Sequence, residues 1–121
     1  MTSGRELVNH AEECVMVMDC GSTTTRAMAV DTRGNLVAGE SRPSSPSAQP
    51  GSGADWRIWD LEEVWGKLCE ASREVCRRVG PDRIKGVTVV TFGADGAPLR
   101  RDGTLAYPVI SWQCRRTRHV V

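Results

Sequence analysis

The chain has 121 residues, 40% of them hydrophobic and 26% charged, with a formal net charge of +1. That length holds one compact domain, or part of one, and falls short of the several hundred residues of a two-domain enzyme. The balanced charge gives no bias toward nucleic acid, and no apolar run nears the ~20 residues of a membrane span. Acidic groups also stand in MTSGRELVNHAEE where a secretory signal has its apolar region, so the cytoplasm is the expected compartment.

Residues 14–20, CVMVMDC, form an apolar run that predicts a first strand buried on both faces. Residues 1–13 are read as an extension ahead of it. After Gly21-Ser22-Thr23-Thr24-Thr25, the segment RAMAVDTRGNLVAGES predicts two strands around the turn-forming Asp31-Thr32-Arg33-Gly34-Asn35. Three antiparallel strands therefore open the fold, each a hairpin from the last. The stretch SRPSSPSAQPGSGAD is too rich in Pro, Ser and Gly to contribute to a core and predicts an exposed loop.

Asp60 followed by Glu63 has the form of a capping box, and Leu61, Val64, Trp65, Leu68, Ser72, Val75, Cys76 and Val79 recur at helical spacing. Gly80-Pro81 ends that helix, because Pro cannot continue it and Gly suits its C-terminus. The β-branched run IKGVTVVTF predicts a return into the sheet as a central strand. In APLRRDGTLAYPVISW, Asp102-Gly103 marks a hairpin turn, and the final QCRRTRHVV reads as the opening of a second helix. The basic cluster Arg115, Arg116, Arg118 and His119 suits a solvated face of that helix better than an anion site. Five cysteines, none at C-x-x-C spacing, read as reduced thiols rather than a metal or redox site. No G-x-G-x-x-G follows the first strand, which disfavours a dinucleotide-binding fold. The order predicts an α/β, ribonuclease-H-like layout.

The octet from Asp19 to Arg26 gathers a carboxylate, a glycine, four hydroxyls and a guanidinium at the end of an apolar strand. Such a set suits a triphosphate: Gly21 permits close backbone approach, hydroxyls and amides donate hydrogen bonds, Asp19 suits Mg²⁺ through coordinated water, and Arg26 adds charge-assisted bonds. The same residues also suit a polar turn in which Ser and Thr cap their own backbone.

DCGSTTTRAMAVDTRG resembles the first phosphate-binding hairpin of the sugar kinases that share the actin and hexokinase ATPase fold. Its D-x-G-S-T-x-x-R pattern is that of the FGGY carbohydrate kinases. The resemblance implies ATP and Mg²⁺ as cofactors, with Asp19 organising the metal, Gly21, Ser22, Thr23 and Thr24 along the phosphate path, and Arg26 in support. It spans residues 14–121, read as a partial N-terminal domain of that family, an incomplete actin/hexokinase-type lobe.

Two further segments extend the resemblance. VISWQCRRT is similar to the stretch that closes the sugar pocket in glycerol kinase and its relatives, which implies that Trp112 lies against substrate carbons; by its residue type alone it also suits a core tryptophan. VTVVTFGADGAPLRRDGTLAYPVISW resembles the fuculokinase branch, whereas the glycerol kinase pattern has an Arg-Glu pair at Phe92-Gly93. One departure is Arg115, where the fuculokinase pattern has Pro. Asp95 is the candidate for sugar hydroxyls, with Gly93 and Gly96 admitting close approach; a strand-end turn is the alternative for all three. Trp56 and Trp59 either wall the pocket or pack over the helix start.

The activity implied is transfer of the ATP γ-phosphoryl to a ketose, L-fuculose to L-fuculose 1-phosphate, with another kinase of the family (rhamnulokinase, xylulokinase or glycerol kinase) or a non-catalytic actin-like nucleotide module as alternatives. The resemblance places the catalytic base and the adenosine-binding residues downstream of residue 121, so the 121 residues alone are expected to be inactive. Sugar and ATP are the expected partners, without nucleic acid or membrane.

Overall fold

In the computed structural model, which describes residues 12–116 and 118, four strands form a sheet backed by one helix. In chain order the elements are β1 (Cys14–Cys20), β2 (Thr24–Asp31), β3 (Leu36–Pro43), β4 (Ser47–Ala48), β5 (Arg57–Trp59), α1 (Leu61–Val79), β6 (Ile84–Thr91) and β7 (Val109–Ile110). The larger sheet runs β3-β2-β1-β6, with β6 parallel to β1 and the other pairs antiparallel. A smaller sheet, β4-β5-β7, is antiparallel throughout. This is the expected mixed α/β arrangement of a hairpin triplet followed by a helical crossover. Of the extension read over residues 1–13, residues 1–11 lie outside the described part, and the carbonyl of Glu12 accepts from Arg83 Nε at 2.8 Å.

Local chemistry fixes the turns. Asp31 Oδ1 accepts from the amides of Arg33 (2.9 Å) and Asn35 (2.8 Å), and Gly34 takes φ 85°, so the β2–β3 turn is built by the side chain that begins it. Asp60 caps α1 by accepting from the amides of Glu62 and Glu63 at 3.0 and 3.1 Å. The capping box stays half made, since the Glu63 carboxylate pairs with Lys67 one turn on. Gly80, at φ 92°, closes the helix with its N–H on the Cys76 carbonyl.

Cys14 and Met16 of β1, Ala27 and Ala29 of β2, and Ala71, Val75 and Val79 of α1 form the core. Three alanines at this interface let helix and sheet approach closely. The helical spacing found Leu68, Val75 and Val79 but missed Ala71, and it assigned inward positions to Leu61 and Trp65, which are exposed. Those two stand in the first turns of α1, before the helix has reached the sheet.

Two strand expectations are corrected. β1 is buried on one face only: Cys14 and Met16 point under α1, while Val15 is exposed. Among the described residues β6 stands at the edge of the sheet and not at its centre, with Val87 and Val89 at 60% and 61% exposure. The first follows from the position of α1, which lies over β2 and β3 and touches β1 less; the second follows from the strand order, in which β6 pairs with β1 alone among the described residues, with Ile84 at its start packed against the core. The Pro- and Ser-rich stretch is also less loop-like than expected, since β3 runs through Pro43 and Ser47–Ala48 form β4. The Asp102-Gly103 turn forms as read, with Leu99 bridging Leu105 and Gly103 at φ 84°. The second helix expected from Gln113 does not begin among the described residues, where 112–116 are turns and coil; residues 117 and 119–121 lie outside them.

Candidate functional site

Parallel pairing of β1 with β6, in a register that sets Cys20 opposite Thr91, brings the C-terminal ends of both strands to one edge of the sheet. Ligands of open α/β sheets bind outside such strand ends. A cleft of about 450 Å³ opens there, lined by Asp19, Cys20, Gly21 and Ser22 from the first strand and its turn, Thr91 to Ala94 from the end of β6, and Trp112. Residues separated by about seventy positions in sequence thus share one cavity because two strands are neighbours.

Gly21 is required by the turn itself. Its N–H donates to the Thr24 carbonyl at 3.1 Å, and a Cβ at this position would stand 2.4 Å from that same oxygen. Ser22 follows it into the cleft, whereas Thr23 and Thr24 do not line it. Thr23 instead offers its carbonyl to the Ser44 amide at 2.9 Å. Thr25, one of the four hydroxyls counted with the octet, faces the core beside Ala27 and is wholly buried, with no hydrogen-bond partner for Oγ1 among the described residues. Strand alternation decides this: Thr25 and Arg26 leave opposite faces of β2. Arg26, directly across from Asp19 in the register, approaches its Oδ2 at 3.8 Å. Burial, and then the neighbouring Asp19 charge, raise the Cys20 thiol above its ordinary value, so the cleft floor beside Asp19 is neutral.

The other set of candidates divides. Gly93 and Trp112 line the main cleft, while Asp95 and Gly96 border an adjoining depression of about 280 Å³ with Ala94, Ser111 and Trp112. A Cβ on Gly93 or Gly96 would meet nothing within 4 Å, so space beside these backbones is open. Asp95 is already engaged: Oδ2 accepts from Trp59 Nε1 at 2.5 Å and Oδ1 from the Trp112 amide at 2.7 Å. Trp59 is 2% exposed and stacks on Phe92, with centroids 4.5 Å apart and planes 11° from parallel. Trp56 neither walls the cleft nor covers the helix start. It carries the Arg116 guanidinium 4.1 Å above its ring, and Arg116 also donates to Gln49 Oε1 and to Cys114 Sγ. Arg116 therefore ties together loops and is not part of a solvated basic face. Burial pushes the Cys114 thiol up, yet hydrogen bonds from Arg116 and the Arg57 amide outweigh it and hold the thiol below its ordinary value.

Cys20, Thr91, Phe92 and Ala94 are not among the site candidates read from sequence, although Thr91, Phe92 and Ala94 stand inside VTVVTFGADGA, the segment that carries Asp95. Their signal was position at a strand end rather than polar chemistry. For Mg²⁺, the donor set fits the usual demand: one carboxylate at the cleft, Asp19, with water and phosphate oxygens completing the shell. Among the described residues no three His, Cys, Asp or Glu side chains are grouped to hold a metal by themselves.

The sheet, its helical crossover and the strand-end cleft define the actin/hexokinase-type fold of sugar kinases. A crystal structure of xylulose kinase from Rhodospirillum rubrum superposes with a TM-score of 0.71 at 24% identity, covering 90% of this chain and 24% of that one. Gluconate kinase from Lactobacillus acidophilus superposes with a TM-score of 0.73 at 16% identity, covering 90% of this chain and 21% of that one. Residues 14–121 match the N-terminal domain of the FGGY family of carbohydrate kinases, and the chain belongs to that family. An L-fuculokinase of Escherichia coli is 36% identical over 110 residues, which is 91% of this chain and 23% of that protein. A glycerol kinase of Thermococcus gammatolerans is 31% identical over 112 residues, 91% of this chain and 22% of that protein. The chain thus spans less than a quarter of the length of these curated relatives.

Proposed function

We propose that the chain is the first part of an ATP-dependent sugar kinase that phosphorylates a ketose, L-fuculose to L-fuculose 1-phosphate. The observation that carries this reading is the shared cleft, in which the Asp19–Ser22 turn faces Phe92, Gly93 and Trp112 across one cavity. A phosphoryl donor and an acceptor need that adjacency, because most of the catalysis of phosphoryl transfer is positioning and charge stabilisation. The 36% identity to the Escherichia coli L-fuculokinase supports the choice of sugar. So does Phe92-Gly93, an apolar pair suited to a deoxysugar face, where the glycerol kinase pattern has charged groups.

On this reading Ser22 presents its backbone amide and hydroxyl to the ATP phosphates and Gly21 lets the backbone come close to them, with Thr23, Thr24 and Arg26 behind. Asp19 would hold Mg²⁺, which when bound neutralises phosphate charge. Trp112 lays its ring along the sugar carbons and Gly93 leaves room for them. Each Asp95 oxygen keeps a second lone pair for a hydroxyl reaching past Trp112, beside Gly96. Among the described residues lining the cleft, Asp19 is the one carboxylate, and its place is with metal and phosphate. The base for the attacking hydroxyl is assigned to a segment beyond residue 121, so these residues alone bind weakly and transfer nothing. The compartment proposed is the cytoplasm; no helix among the described residues is long and apolar enough to cross a membrane.

The test is to extend the reading frame beyond Val121 and assay ATP consumption with L-fuculose, L-rhamnulose, D-xylulose and glycerol. Preferential turnover of L-fuculose is expected. Turnover of another sugar discards the substrate, and nucleotide binding with no sugar turnover replaces the kinase by a nucleotide-binding module.

A further inference from the structure

The two aromatic walls of the cleft, Phe92 and Trp112, are held by a pair of residues that do not line it. Trp59 is buried, stacks its ring on Phe92, and donates its indole N–H to Asp95 Oδ2 at 2.5 Å. The other oxygen of the same carboxylate accepts the backbone N–H of Trp112 at 2.7 Å. One rigid chain of contacts therefore runs from Phe92 through Trp59 and Asp95 to the backbone of Trp112. Both ends of that chain line the cavity.

Trp112 is 57% exposed, and it follows β7, a strand of two residues whose pairing partner is β5, the strand that ends in Trp59. The pairing holds Val109 and Ile110, and the Ser111 amide donates to the Arg57 carbonyl at 3.1 Å, so the chain is fixed up to the residue before Trp112 but not at Trp112 itself. A charge-assisted hydrogen bond to the amide at the root of the side chain supplies the missing constraint. Trp59 in turn fixes the carboxylate, for an aspartate held by one donor is free to rotate and one held through both oxygens is not.

We infer that Trp59 and Asp95 are a positioning pair for sugar recognition, setting the spacing between Phe92 and Trp112 without Trp59 touching the ligand. The inference rests on the sugar-binding reading above and deepens it, since it assigns the shape of the apolar part of the sugar subsite to a residue outside that subsite. Binding of nucleotide at the Asp19–Ser22 turn does not pass through the pair.

The test compares wild type with Trp59→Phe and Asp95→Asn in the chain extended beyond Val121. It reads L-fuculose affinity, Mg-ATP affinity and thermal midpoint separately. Trp59→Phe keeps a ring against Phe92 and deletes the N–H donor together with part of the buried indole, a packing loss that the thermal midpoint reads separately; Asp95→Asn keeps the size and replaces one acceptor by a donor that faces a donor. Each variant is expected to weaken L-fuculose binding about tenfold, the scale of one charge-assisted hydrogen bond, with Mg-ATP affinity within twofold of wild type. In ¹⁵N spectra of the unliganded protein, the Trp112 amide is expected to move upfield in both variants. An equal loss for sugar and nucleotide would mean a merely structural role and overturn the inference. Weakened sugar binding in Asp95→Asn with Trp59→Phe matching wild type would mean that Asp95 acts only through its own contact with the sugar and not through the pair, and would overturn it too. Wild type that shows no response to any of the four sugars overturns the functional reading and this inference with it, whereas wild type that binds sugar while both variants match it overturns the inference alone.

Discussion

A single methyl group added at two glycines of the same cleft separates what the fold needs from what a ligand needs. At Gly21 the new carbon would stand 2.4 Å from the Thr24 carbonyl oxygen, against the 3.4 Å at which ordinary contact begins. The turn must open by about 1 Å, which is overpacking against backbone and costs about 1–3 kcal/mol. Opening also lengthens the Gly21 N–H bond to the same carbonyl, worth about 1 kcal/mol more. With a total of about 2–4 kcal/mol, a large fraction of ordinary domain stability, Gly21→Ala is expected to lower the urea midpoint by roughly 1–2 M. Gly93→Ala adds the same methyl where nothing lies within 4 Å and φ is not positive, so stability is expected to stay within about 0.5 kcal/mol of wild type. There the methyl narrows the cleft instead, and L-fuculose affinity is expected to fall about tenfold. Urea unfolding followed by far-UV circular dichroism, with calorimetric titration of sugar into the extended chain, reads both. A Gly21→Ala variant as stable as wild type would refute the steric argument for the turn. Unchanged sugar affinity in Gly93→Ala would remove Gly93 from the subsite.

Other outcomes can be checked on the same material. Thr25→Val replaces a buried hydroxyl that has no partner among the described residues by a methyl of similar size, and a gain of about 1 kcal/mol in urea unfolding is expected; a loss of that size would show that the hydroxyl is bonded. Asp31 is held below its ordinary carboxylate value by the Asn35 side-chain and backbone hydrogen bonds, so its contribution is present above that ordinary value and is lost as pH falls through the lower folded one. Asn35→Ala should therefore flatten the acid side of the urea-midpoint profile, and an unchanged slope would contradict it. In the 121 residues alone, Val89→Lys places a charge on the exposed edge strand β6 and is expected to reduce self-association in sedimentation velocity without lowering the thermal midpoint, since Val89 packs against little there.

The local elements were legible in the sequence because their causes are local. Asp60 and Gly80 mark both ends of α1 through groups within four residues of them, and Asp31 to Asn35 build their own turn. The D-x-G-S-T-x-x-R run likewise located the strand end at Asp19, because apolar run and polar turn adjoin in the chain. Composition and spacing also gave the order of hairpins and crossover, hence the fold class.

What the tertiary structure alone decided is which residues meet. Strand alternation sent Thr25 into the core while Asp19 reached the cleft, and no count of hydroxyls in the octet carries that information. The open face of β1 depended on where α1 came to rest, and the β-branched run of β6, which reads as central, has β1 as its one paired neighbour among the described residues. The sequence offers Asp95 as the candidate for sugar hydroxyls, and only the pairing of β7 with β5 shows it engaged by Trp59 and Trp112. Sequence sets the propensity of each segment over a few residues. The cleft is made by contacts across some seventy, and those exist only once the sheet has closed.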